Sequence, residues 1–183
     1  MENKRIFLAS TVVLVLIIML FFHQPSITGY VPTSTYSENI NLKVDHSQEI
    51  LIKSANQKDL PITSLLLSGE ITGDGLVNVY LKDKNKHKLL VFTNKQKKGS
   101  SLEIITGLAT KEINVMPGKP INKIETLPDG YEAVQGVFVN KCVETCSLNP
   151  KTFNANNLVL EVIIEPGTIL HITGIKFSLE QNL

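Results

Sequence analysis

The feature that most constrains the fold of this chain is a recurrent pattern of short apolar runs after Ile40. Runs rich in Val, Ile and Leu recur about every 10 to 14 residues, separated by Gly, Pro, Asn and Asp, as strands and turns do. Within residues 39–45, Ile40, Leu42 and Val44 alternate with polar neighbours, so one face is expected to be buried. No stretch after Ile40 sustains an apolar repeat of 3.6 residues. The pattern therefore predicts an all-β domain.

The number and spacing of these runs indicate the architecture. About nine or ten strands in the roughly 140 residues from Ile40 onward predict a single β-sandwich of jelly-roll or Greek-key type. An Asp-Gly pair within residues 72–75 marks a hairpin turn, since Gly accepts positive φ. The alternation in residues 169–179 is imperfect and predicts a bulge near Gly174. Residues 121–127 are compatible with one short helical turn.

The N-terminal part of the chain contains an uncharged apolar run of 17 residues, from Ile6 to Phe22. This length is at the short end of what crosses a bilayer and exceeds the usual core of a signal peptide. We therefore expect one transmembrane helix acting as an uncleaved signal-anchor. The alternative is a cleaved signal peptide, for which residues 26–28 (Ser-Ile-Thr) are a poor cleavage sequence. A buried core helix is disfavoured, because no comparable helix is expected elsewhere.

Charges around the apolar run predict the orientation of the chain. Lys4 and Arg5 precede it, and no Lys or Arg follows until Lys43. Basic residues stay on the cytoplasmic side, so the rest of the chain should be exported. The expected organisation is a cytoplasmic stub (1–5), a transmembrane signal-anchor (6–22), a Pro-, Ser- and Thr-rich tether (23–39) and an extracytoplasmic β-sandwich (40–183). The predicted location is the cell membrane, with a single pass.

Composition narrows the classes of ligand. The net charge of +1 gives no reason to expect nucleic-acid binding. Aromatic residues are 6% of the chain and Trp is absent, which argues against a conventional glycan site built from stacked aromatic rings. No cofactor is expected.

Cys142 and Cys146 are the only cysteines. Outside the cytoplasm an even cysteine count favours a disulfide. In a straight strand these residues would be about 13 Å apart, whereas a disulfide needs Cα atoms within about 7 Å. The chain must therefore turn through residues 143–145. So small a ring contributes about 2 kcal/mol at most and is expected to fix a loop rather than hold the domain together. A free thiol pair and a redox or metal role are the alternatives.

The histidines of the expected domain do not form a catalytic pattern. His46 follows Asp45 in a break between strands, His87 lies in a lysine-rich loop and His171 lies in a strand. Their spacing does not link them to a nucleophile and an orienting acid, and no G-x-S-x-G motif occurs. No catalytic residue is predicted, and the protein is not expected to be an enzyme.

Metal binding is likewise not predicted. Glu70, Asp74 and Asp83 flank one expected hairpin and could hold a structural Ca²⁺, but the sequence has no dense acidic loop. Zinc would need four nitrogen or sulfur ligands, and one Cys pair without clustered His does not supply them.

The most distinctive expected surface feature is a lysine-rich segment between residues 82 and 98. Seven lysines stand against Asp83 alone, and the first four fall on one face if the segment is extended. This patch could contact anionic headgroups, acidic glycans or an acidic partner. The alternative is a solvated hairpin whose edge strand is protected by lysine. The patch comprises Lys82, Lys84, Lys86, Lys88, Lys95, Lys97 and Lys98.

Three segments carry a resemblance to known proteins: SLLLSGEITGDGLVNVYL (64–81), CVETC (142–146) and LEVIIEPGTILHITGIKFSL (160–179). Together they resemble uncharacterised membrane-anchored archaeal surface proteins. The closing hairpin is similar to the last strands of galactose-binding-like jelly rolls and related carbohydrate-binding modules. The resemblance covers residues 60–183 and implies a fold and a surface location. It places no binding residues, because the aromatic platform of such modules is not evident.

These inferences lead to a non-enzymatic hypothesis. A single-pass anchor presents a β-sandwich outside the cytoplasm, where it binds a glycan, an envelope component or a protein partner, or serves as an accessory subunit of a membrane complex. The alternative is an extracytoplasmic enzyme whose site is assembled from scattered strands.

Overall fold

A computed structural model describes the protein over residues 33–54, 59–82, 87–98, 113–151, 153–155 and 157–180. These residues form twelve strands and no helix, which confirms the predicted all-β domain. The strands are β1 (Thr33–Val44), β2 (Gln48–Ser54), β3 (Leu60–Thr72), β4 (Val77–Lys82), β5 (Lys88–Thr93), β6 (Lys95–Lys97), β7 (Ile113–Pro120), β8 (Tyr131–Ala133), β9 (Gly136–Lys141), β10 (Asn154–Ala155), β11 (Asn157–Ile164) and β12 (Ile169–Glu180).

Ten of the described strands form two five-stranded antiparallel sheets in a sandwich-like arrangement. The first sheet has the order β1-β12-β3, and β9 and β10 pair with different parts of β3. The second sheet has the order β5-β4-β11-β2-β7. Strands β6 and β8 form a separate two-stranded ribbon. The chain passes from one large sheet to the other between β1 and β2, β2 and β3, β3 and β4, β10 and β11, and β11 and β12.

The hydrophobic core contains side chains from both large sheets. Because successive residues of a strand point to opposite faces, alternate apolar positions are buried: Leu158, Leu160 and Val162 on β11 are one example. A one-residue slip would move such a set to the solvent face, so burial of the core also fixes the strand register. The largest fully buried side chains include Phe177, Ile50, Ile52, Ile62, Leu65, Leu67, Leu81, Leu160, Leu170, Ile172 and Ile175.

Strand β12 carries the predicted bulge. Leu170 and Ile172 are buried before Gly174, and Ile175 and Phe177 are buried after it, so the buried positions shift by one residue. The pairing of β12 with β3 is interrupted between Ile172 and Gly174. The bulge near Gly174 is confirmed, and it explains why the sequence alternation is imperfect.

Strand β9 closes one side of the sandwich. The ring of Phe138 stacks on Phe92 of β5, with ring centroids 3.9 Å apart. Gly69 of β3 makes room for this contact, since a Cβ atom there would lie 2.9 Å from the Phe138 ring and 2.3 Å from the carbonyl oxygen of His171. A side chain at position 69 would therefore displace β9 or β12.

The domain begins earlier than expected from the sequence. Residues 33–39 were expected to end the tether, but they form the first half of β1, and the compact unit starts at Thr33 rather than Ile40. Tyr36 stacks on Phe177, with ring centroids 5.5 Å apart, and Glu38 is buried. The Ser- and Thr-rich composition hid this strand, because hydroxyl and amide side chains occupy its exposed positions.

Two expectations fall outside the described residues. These are the transmembrane run from Ile6 to Phe22 and the tether up to residue 32. Within the part of the chain that the structure describes, there is no helix long and apolar enough to cross a membrane.

Candidate functional site

An irregular segment, residues 121–128, leads from β7 toward β8, and we call it the crossing segment. The helical turn suggested by its sequence is absent. Ser47, at the corner between β1 and β2, holds its first residues: Ile121 N donates to Ser47 O (2.9 Å), and Ser47 Oγ donates to Lys123 O (3.0 Å). The same hydroxyl accepts a hydrogen bond from Ile164 N (3.0 Å). One buried serine therefore joins the crossing segment to the end of β11.

Glu125 anchors the second half of the crossing segment. Its Oε2 accepts hydrogen bonds from Asn78 Nδ2 (2.6 Å) and Tyr80 OH (2.8 Å), both on β4. Burial opposes ionisation of Glu125, but the hydrogen bonds from Tyr80, Asn78 and Lys123 outweigh it and lower the pKa of the carboxyl. Burial, and then the hydrogen bond to Glu125, raises the pKa of the Tyr80 phenol. A neutral phenol thus donates to a carboxylate at neutral pH.

A second carboxylate, Glu161 of β11, contacts three lysines although its side chain is only 4% exposed. Lys82 Nζ lies 3.1 Å from Oε2, Lys88 Nζ contacts Oε1, and Lys123 Nζ lies 3.6 Å from Oε1. Lys82 also binds Glu49 Oε1 at 2.6 Å. Burial opposes ionisation of Glu161, but the hydrogen bonds from Lys88 and Lys82 lower the pKa of this carboxyl. The hydrogen bond that Lys82 donates to Glu49 raises the pKa of Lys82.

Positive and negative charges are equal in number on this face of the second sheet. Three carboxylates and three ammonium groups are joined by ion pairs, and Lys123 links them to the crossing segment. We call this group the charge cluster. Its members are Glu49, Glu125, Glu161, Lys82, Lys88 and Lys123.

A cleft of about 350 Å³ lies between the crossing segment and strands β4 to β6. We call it the Tyr80 cleft. Its lining combines apolar side chains with five polar groups: an amide, a phenol, a carboxylate, a hydroxyl and an ammonium group. Lys95 Nζ lies 5.2 Å from the centre of the Tyr131 ring, so a second, 40% exposed tyrosine neighbours the cleft. The lining residues are Leu76, Asn78, Tyr80, Leu90, Lys95, Ile124, Glu125, Thr126 and Pro128.

A larger cleft of about 520 Å³ lies beside the first residues of the crossing segment, and we call it the His46 cleft. His46 Nδ1 lies 2.5 Å from Asp45 Oδ1, and this hydrogen bond lowers the pKa of Asp45. Ser47 lines the same cleft, but its hydroxyl lies within hydrogen-bonding distance of two backbone carbonyl oxygens, Lys123 O at 3.0 Å and Ile164 O at 3.3 Å. Ile124, which is 67% exposed, lines both clefts.

The structure separates the lysines of the predicted contact patch. Lys82 and Lys88 face each other across β4 and β5, and both bind Glu161. Their charges are therefore compensated within the protein, and a partner would have to compete with Glu161 for them.

The other lysines of the patch lie elsewhere. Lys95 and Lys97 belong to β6 in the ribbon, and Lys98 follows directly, with its amide donating to a backbone carbonyl at 3.5 Å. Lys84 and Lys86 lie outside the described residues. The seven-lysine patch stays a prediction.

The three histidines considered from the sequence lie apart. His171 Nε2 lies 2.7 Å from Asn41 Oδ1 on the first sheet. His46 lies at the corner between β1 and β2, and His87 directly precedes β5. The structure therefore brings only His46 into one of the two clefts described here.

The acids considered for a metal site do not converge in the described residues. Glu70 is the cross-strand neighbour of His171, Asp74 lies in the turn between β3 and β4, and Asp83 falls outside the described range. Among the described residues, no three His, Cys, Asp or Glu side chains come together as a metal site.

Cys142 and Cys146 form the predicted disulfide, with Cα atoms 5.3 Å apart. The chain turns through residues 143–145 as expected, and we call residues 142–146 the clasp. Asn140, with a φ of 48°, lies in the left-handed region just before it. Asn tolerates this conformation better than most residues, and Asn140 lies one residue before Lys141, where β9 ends and the chain enters the turn.

The clasp contacts both large sheets. Glu144 N donates to Leu90 O (2.8 Å), and Leu90 N donates to Glu144 Oε2 (2.6 Å), on the edge strand β5. Leu65 N donates to Thr145 O (2.9 Å), and Thr145 Oγ1 donates to Leu65 O (2.7 Å), on β3. The expectation that the ring only fixes a loop is therefore incomplete, because this loop joins β5 to β3.

Sequence reasoning missed Glu161, Glu125 and Tyr80. Glu161 could have been recognised, since it is a charged residue inside an otherwise apolar strand and a buried charge requires a partner. Glu125 could not, because its hydrogen-bond partners on β4 lie 45 and 47 residues away along the chain.

Comparison with models of protein families found no match. Comparison with curated proteins found none either. Among solved structures the chain is similar to one titled "Structure of infectious bursal disease virus Gx strain", with 12% identity and a TM-score of 0.16. The match covers 82% of this chain and 43% of that chain, so this chain spans less than half of the viral one. A TM-score this low supports no conclusion about fold or function.

Proposed function

We propose that the protein is a membrane-anchored, extracytoplasmic binding domain whose Tyr80 cleft takes a neutral sugar unit of a glycan. The observation that carries the proposal is the balance of charge and of hydrogen-bonding groups in this cleft. The protein acts in this proposal by binding, without catalysis.

The composition of the Tyr80 cleft favours a neutral, hydroxyl-rich ligand. Glu125 would repel an anion and Lys95 would repel a cation, whereas neither residue repels a neutral ligand. Sugar hydroxyls both donate and accept hydrogen bonds, so they suit the amide, hydroxyl and carboxylate groups of the lining. A volume of about 350 Å³ is within the usual range for small-molecule sites.

The positions of two tyrosines are compatible with a glycan site. The chain has few aromatic residues, but two of its four tyrosines, Tyr80 and Tyr131, lie at or beside this cleft. Aromatic rings offer an apolar face for the C–H groups of a sugar ring. A low aromatic content is therefore compatible with one small site.

The proposed location rests on the sequence. The apolar run from Ile6 to Phe22 and the basic residues before it support an anchor with the domain exported. A disulfide between Cys142 and Cys146 is typical of an oxidising compartment and adds support for export.

We further infer that the domain is a jelly roll. The orders β1-β12-β3-β9 and β2-β11-β4-β5 support this assignment, because consecutive strands repeatedly change sheet in the way that two Greek keys require. Strand β7 then extends the second sheet beside β2.

The ligand is tested by presenting the full chain, in detergent micelles, to immobilised neutral and acidic oligosaccharides. We expect retention on neutral oligosaccharides, and we expect Lys95→Ala and Thr126→Ala each to weaken it about tenfold, the effect of ~1.4 kcal/mol. Lys43→Ala, an exposed lysine of the first sheet, is the matched control. Retention on acidic oligosaccharides alone, or equal weakening by Lys43→Ala, would contradict the proposal.

The anchor is tested by extracting membranes of expressing cells with alkaline carbonate. An anchored chain stays in the membrane pellet at its full length. Release of the intact chain into the soluble fraction would rule out the anchor.

The alternative of an extracytoplasmic enzyme is favoured by one observation, the Asp45–His46 pair beside Ser47 in the His46 cleft. Catalysis would require the Ser47 hydroxyl to leave the carbonyl of Lys123 and bond to His46. A serine-directed fluorophosphonate probe distinguishes the two hypotheses: covalent labelling of Ser47 supports the enzyme, and an unlabelled Ser47 supports the binding domain.

A further inference from the structure

The clasp binds its two strands through two consecutive residues, Glu144 and Thr145. Glu144 satisfies both the N–H and the C=O of Leu90, using its backbone N–H and its carboxylate. Thr145 satisfies both backbone groups of Leu65, using its carbonyl and its hydroxyl. All four hydrogen bonds depend on two residues that lie inside the five-residue ring closed by the disulfide.

Leu90 connects the clasp to the Tyr80 cleft. It lies on the edge strand β5, is the cross-strand partner of Tyr80 and lines the cleft. The charge of Glu144 also contributes to the raised pKa of Tyr80, after burial and the effects of Glu125 and Glu161. A change in the position of Glu144 would therefore shift Leu90, which is part of the cleft wall.

The residues of the clasp differ in their exposure to solvent. Thr145 is fully buried, whereas Glu144, Val143 and Cys146 are exposed. A thiol reagent can thus approach the sulfur of Cys146 from solvent while the core stays covered.

We propose that Cys142–Cys146 is a redox-sensitive latch: its reduction frees the clasp from β5 and β3 and loosens the wall of the Tyr80 cleft at Leu90. The effect on ligand binding rests on the proposed function of that cleft. The effect on Leu90 and Leu65 does not depend on it.

The chemistry needs a dithiol as reductant. One thiolate of the dithiol attacks the Cys146 sulfur, the Cys142–Cys146 bond breaks, and Cys142 leaves as a thiolate that takes up a proton. The second thiol of the reductant then attacks the mixed disulfide and releases Cys146 as a thiol. Two electrons and two protons pass to the protein, and the dithiol becomes a disulfide.

The test is hydrogen exchange of backbone amides in the full chain in micelles, before and after reduction with dithiothreitol. We expect the amides of Leu90 and Leu65 to exchange at least about tenfold faster after reduction, while that of Leu160 in the central strand β11 is unchanged. Cys142→Ser with Cys146→Ser should reproduce the result without reductant. Unchanged exchange at Leu90 and Leu65, or equal acceleration at Leu160, would overturn the latch.

Two variants with the disulfide intact provide matched controls. Glu144→Ala removes the acceptor of the Leu90 amide and should accelerate exchange at Leu90 but not at Leu65. Thr145→Val removes a donor to Leu65 O but keeps the backbone acceptor of the Leu65 amide, so exchange at Leu65 should persist at its slow rate. The opposite pattern would contradict the assigned contacts.

A second measurement separates the latch from the proposed function. With a neutral oligosaccharide retained by the oxidised chain, reduction should weaken binding about tenfold. If exchange at Leu90 is faster after reduction but the affinity is unchanged, the disulfide does not control ligand binding. The effect of reduction on the contacts of Leu90 and Leu65 is tested by the exchange rates alone. Exchange requires no ligand, so failure to find a glycan would count against the binding proposal only.

Discussion

At the residue scale, two buried or half-buried carboxylates organise the outer face of the second sheet. Glu161 holds three lysines, and Glu125 accepts hydrogen bonds from Asn78 and Tyr80. A charge removed from water is tolerated only with partners. The contacts of Glu161 and Glu125 therefore stabilise this face of the sheet and also determine the shape of the Tyr80 cleft.

Glu161→Gln should lower the free energy of unfolding by about 2 kcal/mol, because it removes the charge that Lys82 and Lys88 compensate. These lysines are partly exposed and can regain water, which keeps the loss below that of a fully buried pair. Urea unfolding of the full chain in micelles measures the change. Glu132→Gln, at an exposed position of β8, is the control and should change stability little; equal losses would show that Glu161 has no special role.

Stability should also fall in acid. The folded pKa values of Glu161 and Glu125 lie below the ordinary value of 4.5, so their contribution is present above about pH 4.5 and is lost as the pH falls through the folded values. Thermal unfolding between pH 7 and pH 3 measures this. Glu161→Gln and Glu125→Gln should flatten the acid limb, and a limb of unchanged steepness in both variants would contradict the assignment.

At the element scale, the crossing segment is held by side chains rather than by regular secondary structure. Ser47 fixes its first residues, Lys123 joins the charge cluster and Glu125 fixes the second half. Its first residues line the His46 cleft and its later residues line the Tyr80 cleft, so the shapes of both clefts depend on how firmly it is held. The clasp plays a comparable part for β5 and β3.

Ser47→Ala should destabilise the protein by about 1 to 3 kcal/mol, because the buried amide of Ile164 loses its acceptor and Lys123 O loses its donor. Hydrogen exchange should accelerate at Ile164, whose amide loses the Ser47 hydroxyl, while Ile121 keeps its backbone acceptor at residue 47 and the clasp at Leu65 stays protected. Ser147→Ala, at an exposed position, is the control. Unchanged exchange at Ile164 in Ser47→Ala would show that another contact protects the end of β11.

At the scale of the whole molecule, the sequence predicted what depends on local pattern. Alternation on residues 40–44 and a phase change at Gly174 are local, and so are the short separation of Cys142 and Cys146 and the turn it requires. The Tyr80 cleft depends on contacts between residues distant in the chain, such as Tyr80 with Glu125, and no local pattern encodes them. The early start of β1 was missed because the exposed positions of an edge strand are polar, as in a tether.

Mapping the site of a bound oligosaccharide by NMR tests whether the Tyr80 cleft binds a neutral sugar unit. Titration of a neutral oligosaccharide that the full chain retains should shift the amide signals of Asn78, Leu90 and Thr126, which line the cleft. Signals of the first sheet, such as that of Lys43, should stay in place. Shifts confined to the first sheet or to the His46 cleft, with the Tyr80 cleft unaffected, would contradict the claim.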